Sequence, residues 1–376
     1  MKPLAGDANV IDLKPLTSLR FIAAGMIVAY HAKNYFLWSW ANNAPFTLIM
    51  GVSFFFVLSG FILTHVYTSK AMRSYGHFIR ARFARLWPLH VATLILLVML
   101  VKPDSITFDG PGLFSKWITL AFNIALAHSL IPFFSYVYSW NAVSWSISTE
   151  MFFYLLFPFL LKDIQRTSGK KIIAAALAFF VLILVLSIYQ APFDGGVNEL
   201  TIQSATYANP IARSFEFCMG MAAWVVWDRY LRNAKMSTLL WSLIELIVIA
   251  TAALWLWKIY FAIASWLPGP YLSQVLKLSG SAWLFAIVIV CFASGRGYIG
   301  RLLSARLCVF LGEVSFSVYM VHQILMKAVV GWLPKESIHT VPFVCVLLIC
   351  ATVLHLYIEM PCRDLLLGTK RITRSR

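Results

Sequence analysis

Charged residues are scarce in this chain: Asp, Glu, Lys and Arg together make up only 12% of its 376 residues. A soluble globular protein carries roughly 25% charged residues, whereas 60% of the residues here are hydrophobic and the mean hydropathy is +0.78. This composition excludes a soluble globular protein, a disordered chain and a nucleic-acid-binding domain, because none of these can hide repeated apolar runs of about 20 residues from water. It predicts a protein that resides in a lipid bilayer.

Cysteine patterns that hold metals or disulfide frameworks are also missing. The six cysteines include no CxxC pair, and no His and Cys residues stand at metal-ligand spacing. The cysteines lie within or at the ends of apolar runs, which is typical of small buried side chains. The sequence therefore predicts no metal site and no disulfide framework.

Long apolar runs dominate what is present. A membrane-spanning helix needs about 20 mostly apolar residues. The sequence predicts about ten such helices, at roughly 17–38, 46–69, 86–101, 145–161, 172–190, 206–227, 237–258, 271–293, 307–330 and 341–360. The expected fold class is all-α, a polytopic membrane helix bundle. We expect one membrane-embedded domain over 1–376, with a cytoplasmic leader at 1–16 and a basic tail at 361–376.

The basic residues predict how these helices are oriented, because Lys and Arg accumulate in short cytoplasmic loops. The segments 70–85 and 162–171 are rich in them, whereas 191–205 and 259–276 contain none. If both basic segments face the cytoplasm, an even number of helices separates them, so a further apolar stretch at 117–133 does not cross the bilayer. We expect that stretch to be re-entrant or interfacial, and both termini to be cytoplasmic.

Two ionisable residues lie in the first predicted helix, where a charge at the bilayer centre costs about 2.5 kcal/mol or more. Arg20 and His31 are eleven residues apart, which corresponds to about 16 Å of rise and three turns plus roughly 20°. Both side chains therefore lie on one stripe of the helix. Histidine takes up and releases protons near neutrality, so His31 is a candidate general base. The alternative is a hydrogen-bonded interior residue.

Other ionisable residues each allow two interpretations. Arg82 and Arg85 are three apart on one helix face, which is either a topology signal or a site for phosphate groups, since guanidinium groups bind phosphates bidentately. Glu150 is either solvated at the interface or, if buried, orients and charge-stabilises the histidine. Ser59 and Gly60 lie in the run GVSFFFVLSGFI, where small residues by themselves indicate close helix packing.

A last group of residues has either substrate or structural roles. Arg213 and Glu216 are three apart and are expected to form an ion pair. His322 and Glu359 are weaker candidates that follow a tyrosine on the last two helices. The complete group is Arg213, Glu216, Trp145, His322 and Glu359.

Six motifs occur along the chain in a familiar order: LTSLRFIAAGMIVAYH, GVSFFFVLSGFI, RARFARLWP, WSISTEMFFYLLFP, FLGEVSFSVYMVHQ and YIEMPCR. In this order they resemble the integral-membrane acyltransferase family 3 over nearly the whole chain. The resemblance implies ten spans, a re-entrant element and an O-acyltransferase, usually an acetyltransferase, of the bacterial inner membrane. It implies cytosolic acetyl-CoA as a cosubstrate, with no permanently bound cofactor. The implied acceptor is a hydroxyl of a cell-surface or exported polysaccharide, or of a lipid-linked precursor.

The resemblance also implies roles for individual residues. It gives His31 the catalytic position, with Glu150 as its partner, and matches Trp145 and Ser146 to the Trp-Ser-x-x-x-Glu motif of the family. The residues that it assigns to acyl-CoA are Arg20, Arg82, Arg85, Ser59 and Gly60.

The chain departs from the family pattern at two places. Members often carry an Asp where this chain has Thr17 and Ser18, and a second carboxylate where it has Met151. These departures weaken any mechanism that needs an extra acid. Some members also carry a fused periplasmic esterase-like domain, and we expect this chain to resemble the stand-alone O-acetyltransferases of exopolysaccharide and O-antigen pathways.

Two mechanisms and one competing class stay open at this point. His31 either deprotonates a sugar hydroxyl for direct attack on the thioester or accepts the acetyl group itself. The competing class is a polytopic transporter or an export partner of a polysaccharide pathway, since buried charges often mark a solute path. A transporter is expected to contain paired broken helices in two corresponding halves, and no such repeat is visible in the sequence.

Overall fold

All regular structure in the described part of the chain is helical. The computed structural model describes residues 13–43, 46–70, 72–106, 116–196, 198–267 and 269–368. Across these ranges the sole β feature is an isolated antiparallel bridge between Phe133 and Leu200. Most of the predicted leader and the end of the predicted tail lie outside the described residues. The expected all-α fold class is confirmed.

Ten long helices organise these ranges, and we number them in chain order. They are α1 (Lys14–Tyr35), α2 (Gly51–Ser69), α3 (Tyr75–Leu100), α4 (Trp145–Leu161), α5 (Ile164–Ile188), α6 (Pro210–Val226), α7 (Thr238–Leu254), α8 (Gly269–Ser294), α9 (Arg306–Trp332) and α10 (Thr340–Leu354). Wider turns and short helices extend three of them, α6 to Leu231, α7 to Trp266 and α10 to Leu367. Shorter helices and 3-10 turns occupy Ser39–Asn42, Leu48–Met50, Pro103–Ser105, Lys116–Ile124, His128–Leu130, Phe134–Val137, Ala142–Ser144, Ile202–Thr206, Tyr298–Leu303 and Lys335–Ser337.

Within the described ranges, eight of these helices are long and apolar enough to cross a membrane, so the chain is a multi-pass membrane protein. The other two are α1 and α6, whose mean hydropathy is lowered by Arg20 and His31 in one and by Arg213 and Glu216 in the other. Both lie within the bundle: α1 packs along α9, and α6 packs along α2 and α5. The polar residues that weaken their apolar signal are thus sheltered by protein. The number of ten spans stays a prediction.

The stretch at 117–133 forms broken structure. Its helix Lys116–Ile124 has nine residues and rises about 13 Å, well short of the roughly 30 Å of a bilayer core. Leu126 follows with a left-handed φ of 54°, and short turns continue the chain to Val137. This geometry agrees with the expectation that the stretch is not a regular spanning helix.

Buried hydrogen bonds attach the segment between α3 and α4 to the bundle. The amide nitrogen of Asn141 donates to Thr93 Oγ1 of α3 at 3.3 Å and to the Met320 carbonyl oxygen of α9 at 3.0 Å. The Tyr319 hydroxyl donates to the Val143 carbonyl oxygen at 2.9 Å. Irregular backbone is tolerated at membrane depth only where protein or a water-filled cavity surrounds it, and these helices supply that surrounding.

The backbones of α2 and α6 are in contact where each helix presents a glycine to the other. A Cβ atom on Gly60 would strike the Phe217 carbonyl oxygen, and one on Gly220 would strike the Val57 carbonyl oxygen. Small residues at a helix contact allow this close approach in membranes. Gly60 was expected to contact acyl-CoA. That expectation is wrong, because its Cα faces the backbone of α6 and not a cavity.

Replacing Gly60 with alanine is expected to lower the melting temperature of the detergent-purified protein. The added methyl group meets a carbonyl oxygen that cannot rotate away, and overpacking of this kind costs about 1–3 kcal/mol. Gly25→Ala is the matched control, since a Cβ at that helical position meets no atom within 4 Å. The control is expected to keep or raise the melting temperature. Equal melting temperatures for the two variants would contradict the close α2–α6 contact.

Candidate active site

Two cavities lie side by side along α1. The Arg20 cavity has a volume of about 140 Å³, and the His31 cavity has a volume of about 330 Å³. Val52 of α2 and Tyr319 of α9 line both of them. The two cavities therefore adjoin at these two side chains.

One face of α1 lines both cavities. Its lining residues are Leu16, Thr17 and Arg20 in the first, and Ile27, Tyr30, His31, Asn34 and Tyr35 in the second. Intervals of three, four and seven residues return to the same side of a helix. The structure thus places Arg20 and His31 on one stripe, as their spacing predicted.

The Arg20 cavity brings together charged side chains from three helices. Arg20 of α1 and Arg85 of α3 line it with Glu150 of α4. Glu150 accepts hydrogen bonds from Ser59 Oγ at 3.0 Å and from the Tyr154 hydroxyl at 2.5 Å. In the part of the chain that the structure describes, neither guanidinium group forms a salt bridge or hydrogen bond with a protein group. The cavity therefore offers guanidinium donors to an anion.

Glu150 does not orient His31, so that part of its predicted role is wrong. Its hydrogen-bond partners Ser59 and Tyr154 line the Arg20 cavity with it, whereas His31 lines the other cavity. Glu150 and Tyr154 are four residues apart, one turn of α4, so both lie on the same face of that helix. This face is directed at Arg20 and Arg85.

The imidazole of His31 contacts a second imidazole instead. Nδ1 of His31 lies 2.8 Å from Nε2 of His322, and the two ring centroids are 5.1 Å apart. Nδ1 of His322 lies 2.6 Å from the Tyr319 carbonyl oxygen. The contact forms because α9 packs closely along α1: a Cβ atom on Gly312 would strike the Thr17 carbonyl oxygen. His322, a weaker candidate from sequence, is the direct partner of His31.

Side chains that were not among the predicted site residues complete the His31 cavity. They are Tyr30, Asn34, Tyr35, Tyr138, Gln203, Tyr207, Tyr319, Gln323 and Lys327, among others. On α9, Tyr319, Gln323 and Lys327 follow at intervals of four, and a polar stripe in an apolar helix is a signal that could have indicated them. Tyr138 follows the short helix Phe134–Val137 and Gln203 lies in the short helix Ile202–Thr206, so only the tertiary fold brings them to the cavity.

Comparison with known proteins identifies the family of this chain. The family model of the acyltransferase domain matches residues 15–360. The chain belongs to acyltransferase family 3. It is a membrane-embedded acyltransferase, and the resemblance read from its motifs is confirmed.

Three relatives are similar in sequence to this acyltransferase over most of its length. Acyltransferase MdmB of Streptomyces mycarofaciens is 27% identical over 96% of this chain and 94% of its own length. The putative peptidoglycan O-acetyltransferase YrhL of Bacillus subtilis is 28% identical over 93% of this chain and 54% of its own length. A putative O-acetyltransferase of Staphylococcus aureus is 23% identical over 82% of this chain and 49% of its own length. The chain thus spans nearly all of the first relative and about half of the other two. No solved structure matches it.

Of the predicted arginine pair in this acyltransferase, only Arg85 reaches the Arg20 cavity. Arg82 is not among the residues that line either cavity. Its guanidinium carbon lies 5.9 Å from the ring centroids of Tyr67, Phe78 and Tyr154. These are distances at which cation–π attraction operates, so Arg82 packs against these three rings.

The predicted ion pair of Arg213 and Glu216 is present and deeply buried. Arg213 Nη1 lies 2.9 Å from Glu216 Oε1, and the side chains are only 2% and 0% exposed. The same nitrogen donates to the Leu278 carbonyl oxygen at 3.1 Å. The guanidinium carbon also lies 5.2 Å and 5.8 Å from the ring centroids of Phe56 and Trp145. The pair therefore supports Trp145, which lines the His31 cavity.

Glu359 connects the last two long helices of this acyltransferase. Its carboxylate accepts hydrogen bonds from Ser317 Oγ at 3.1 Å and from His355 Nδ1 at 2.9 Å. It lines neither cavity, which favours the structural one of its two predicted roles. Among the described residues no group of three or more His, Cys, Asp or Glu side chains could hold a metal ion.

Proposed function

We propose that this acyltransferase moves an acetyl group from acetyl-CoA to a hydroxyl of a cell-surface or exported polysaccharide, or of its lipid-linked precursor. One observation carries the proposal: the Arg20 cavity and the His31 cavity adjoin each other along one face of α1. Relatives named as O-acetyltransferases, one of them for peptidoglycan, support an acetyl donor and a glycan acceptor.

The Arg20 cavity is the proposed entrance for the donor. Coenzyme A carries phosphate groups, and Arg20 and Arg85 offer guanidinium donors that bind phosphates bidentately. With both termini in the cytoplasm, as the basic loops predict, this end of α1 faces the side on which acetyl-CoA is made. The pantetheine arm then runs past Val52 and Tyr319, which line both cavities, and brings the thioester to His31. Because this route needs a membrane with one face toward the cytosol, we place the protein in the bacterial inner membrane.

His31 is the proposed general base. It removes the proton from an acceptor hydroxyl as that oxygen forms a bond to the thioester carbonyl carbon. The tetrahedral intermediate collapses by breaking the carbon–sulfur bond, and the departing thiolate takes the proton from the imidazolium. The products are an acetyl ester and free coenzyme A, and the histidine returns to its starting state. We propose direct transfer, in which His31 acts as the base through Nε2, the ring nitrogen that does not contact His322.

The His31 cavity is the proposed acceptor site. Its volume of about 330 Å³ is lined by aromatic rings together with Asn34, Gln203 and Gln323. Amide groups both donate and accept hydrogen bonds, so they suit an acceptor that presents several hydroxyls. The cavity also holds the base, which brings the reacting hydroxyl within reach.

Reconstitution into liposomes tests the proposal. With acetyl-CoA outside and a lipid-linked or soluble glycan present, we expect release of the coenzyme A thiol that depends on the acceptor. Mass spectrometry of the glycan is expected to show the mass of one added acetyl group. Liposomes without the acceptor are the control. A glycan that crosses the membrane with unchanged mass, while no thiol is released, would favour the transporter instead.

A further inference from the structure

The hydrogen bonds around His31 determine which of its two nitrogens carries the proton. The Tyr319 carbonyl oxygen can only accept, so the Nδ1 of His322 that lies 2.6 Å from it is the protonated nitrogen. In the neutral imidazole the other nitrogen, Nε2, is then an acceptor. It lies 2.8 Å from His31 Nδ1, which must therefore carry the donated hydrogen. His31 Nε2 is left with its lone pair.

The two imidazoles differ in their access to the cavity, and this difference gives them different roles. His322 is fully buried and is not among the residues lining either cavity. Its ring lies between His31 and Tyr319, with centroid distances of 5.1 Å and 5.8 Å. His31 lines the larger cavity. Only His31 can meet an acceptor, and His322 can act only through it.

We propose that His322 is a positioning residue that fixes the tautomer of His31, leaving its Nε2 as the base. This inference rests on the proposed function, because it assumes that His31 removes the acceptor proton. Without a partner on Nδ1, neutral imidazole distributes its proton between the two nitrogens and its ring turns about the side-chain bonds. The hydrogen bonds from His31 through His322 to the Tyr319 carbonyl oxygen restrict both the tautomer and the ring rotation, as a carboxylate does for the histidine in the active sites of hydrolases.

The same contact assists the transfer step. When His31 Nε2 takes the hydroxyl proton, the ring becomes an imidazolium and its Nδ1–H bond to His322 becomes charge-assisted, which strengthens it. The proton remains on His31 until the coenzyme A thiolate takes it from Nε2. His322 keeps its own proton on Nδ1 throughout, so no net transfer occurs between the two rings.

Two substitutions of His322 test this role. In His322→Gln the side-chain amide places an acceptor near the position of Nε2, whereas His322→Leu removes it at similar size. We expect His322→Leu to lower kcat about 10- to 100-fold, the usual loss when a group that orients a functional histidine is removed, with little change in KM for acetyl-CoA, and His322→Gln to recover most of that loss. A purely structural role predicts equal losses in both variants, and this result would overturn the inference.

Nitrogen NMR of the wild-type protein provides a second readout that does not depend on how the His322 variants fold. With ¹⁵N-labelled histidine, assigned by comparison with the His31→Ala protein, we expect His31 to show a protonated Nδ1 and an unprotonated Nε2. The opposite tautomer would overturn the inference. If the wild-type protein transfers no acetyl group, the proposed function fails. If His31→Ala keeps full activity, His31 is not the base and the positioning inference fails with it. If His31 is essential but His322→Leu keeps the wild-type kcat, only the positioning role fails.

Discussion

Replacing His31 with alanine is expected to abolish measurable acetyl transfer while leaving a folded, membrane-inserted protein. The variant loses the general base, whose contribution is typically about 10²- to 10⁴-fold in rate. Thiol release from acetyl-CoA in the presence of the acceptor measures the effect. The melting temperature of the purified variant is expected to change little, because His31 borders a cavity and its removal leaves space that water can fill.

An exposed histidine provides the matched control for this substitution. His77 lies at the start of α3 and is exposed, so His77→Ala changes the same residue type away from both cavities. We expect it to keep wild-type activity. Substantial transfer by His31→Ala would remove His31 from the role of base. Loss of activity in both variants would point to a general sensitivity of the protein and not to the chemistry of one side chain.

Removing the two guanidinium groups of the Arg20 cavity is expected to raise KM for acetyl-CoA by about 100-fold or more. A hydrogen bond to a charged group contributes about 1.5–3 kcal/mol, or about 10- to 100-fold in affinity for each arginine. The double variant Arg20→Gln, Arg85→Gln leaves Glu150 in the cavity without an opposing charge, which further disfavours phosphate. Steady-state kinetics at saturating acceptor measure the change.

A truncated donor separates phosphate binding from other effects of these substitutions. Acetyl-pantetheine carries the same thioester without the nucleotide phosphates, so its transfer is expected to be similarly slow with the wild-type and the double-variant protein. Arg166→Gln is the control, because Arg166 is exposed near the start of α5. If the double variant loses both donors equally, the two arginines serve the structure of the site and not the phosphates.

Local geometry was predictable from sequence because it depends on few residues. The shared stripe of Arg20 and His31 follows from helix periodicity alone, and the interrupted stretch at 117–133 follows from counting charged loops. Helices α1 and α6 were predicted although their polar residues lower the apolar signal, and whether they span the membrane stays a prediction. Each of these inferences uses residues that are neighbours along one helix or in adjacent loops.

Contacts between distant helices were not predictable in the same way. His31 and His322 are separated by 291 residues, and nothing in either helix specifies that α1 lies along α9. Glu150 was given to His31 because a histidine base commonly has a carboxylate partner, yet α4 directs it to Ser59 and Tyr154. Gly60 follows the cavity residue Ser59 directly, and a helix turns adjacent residues by about 100°, so it faces α6 instead.

The hydrogen bonds of Asn141 impose an order on biosynthesis. Its amide needs the Met320 carbonyl oxygen, which the ribosome produces long after α3 and α4 have entered the membrane. Until then the only acceptor among its two partners is Thr93 Oγ1 of α3, and a polar group that lacks hydrogen bonds is costly in lipid. The contacts of the segment before α4 are therefore completed only after α9 arrives. The same helix delivers His322 to His31 and Tyr319, Gln323 and Lys327 to the His31 cavity, so the nascent protein has neither a complete acceptor cavity nor an oriented base before α9 packs along α1.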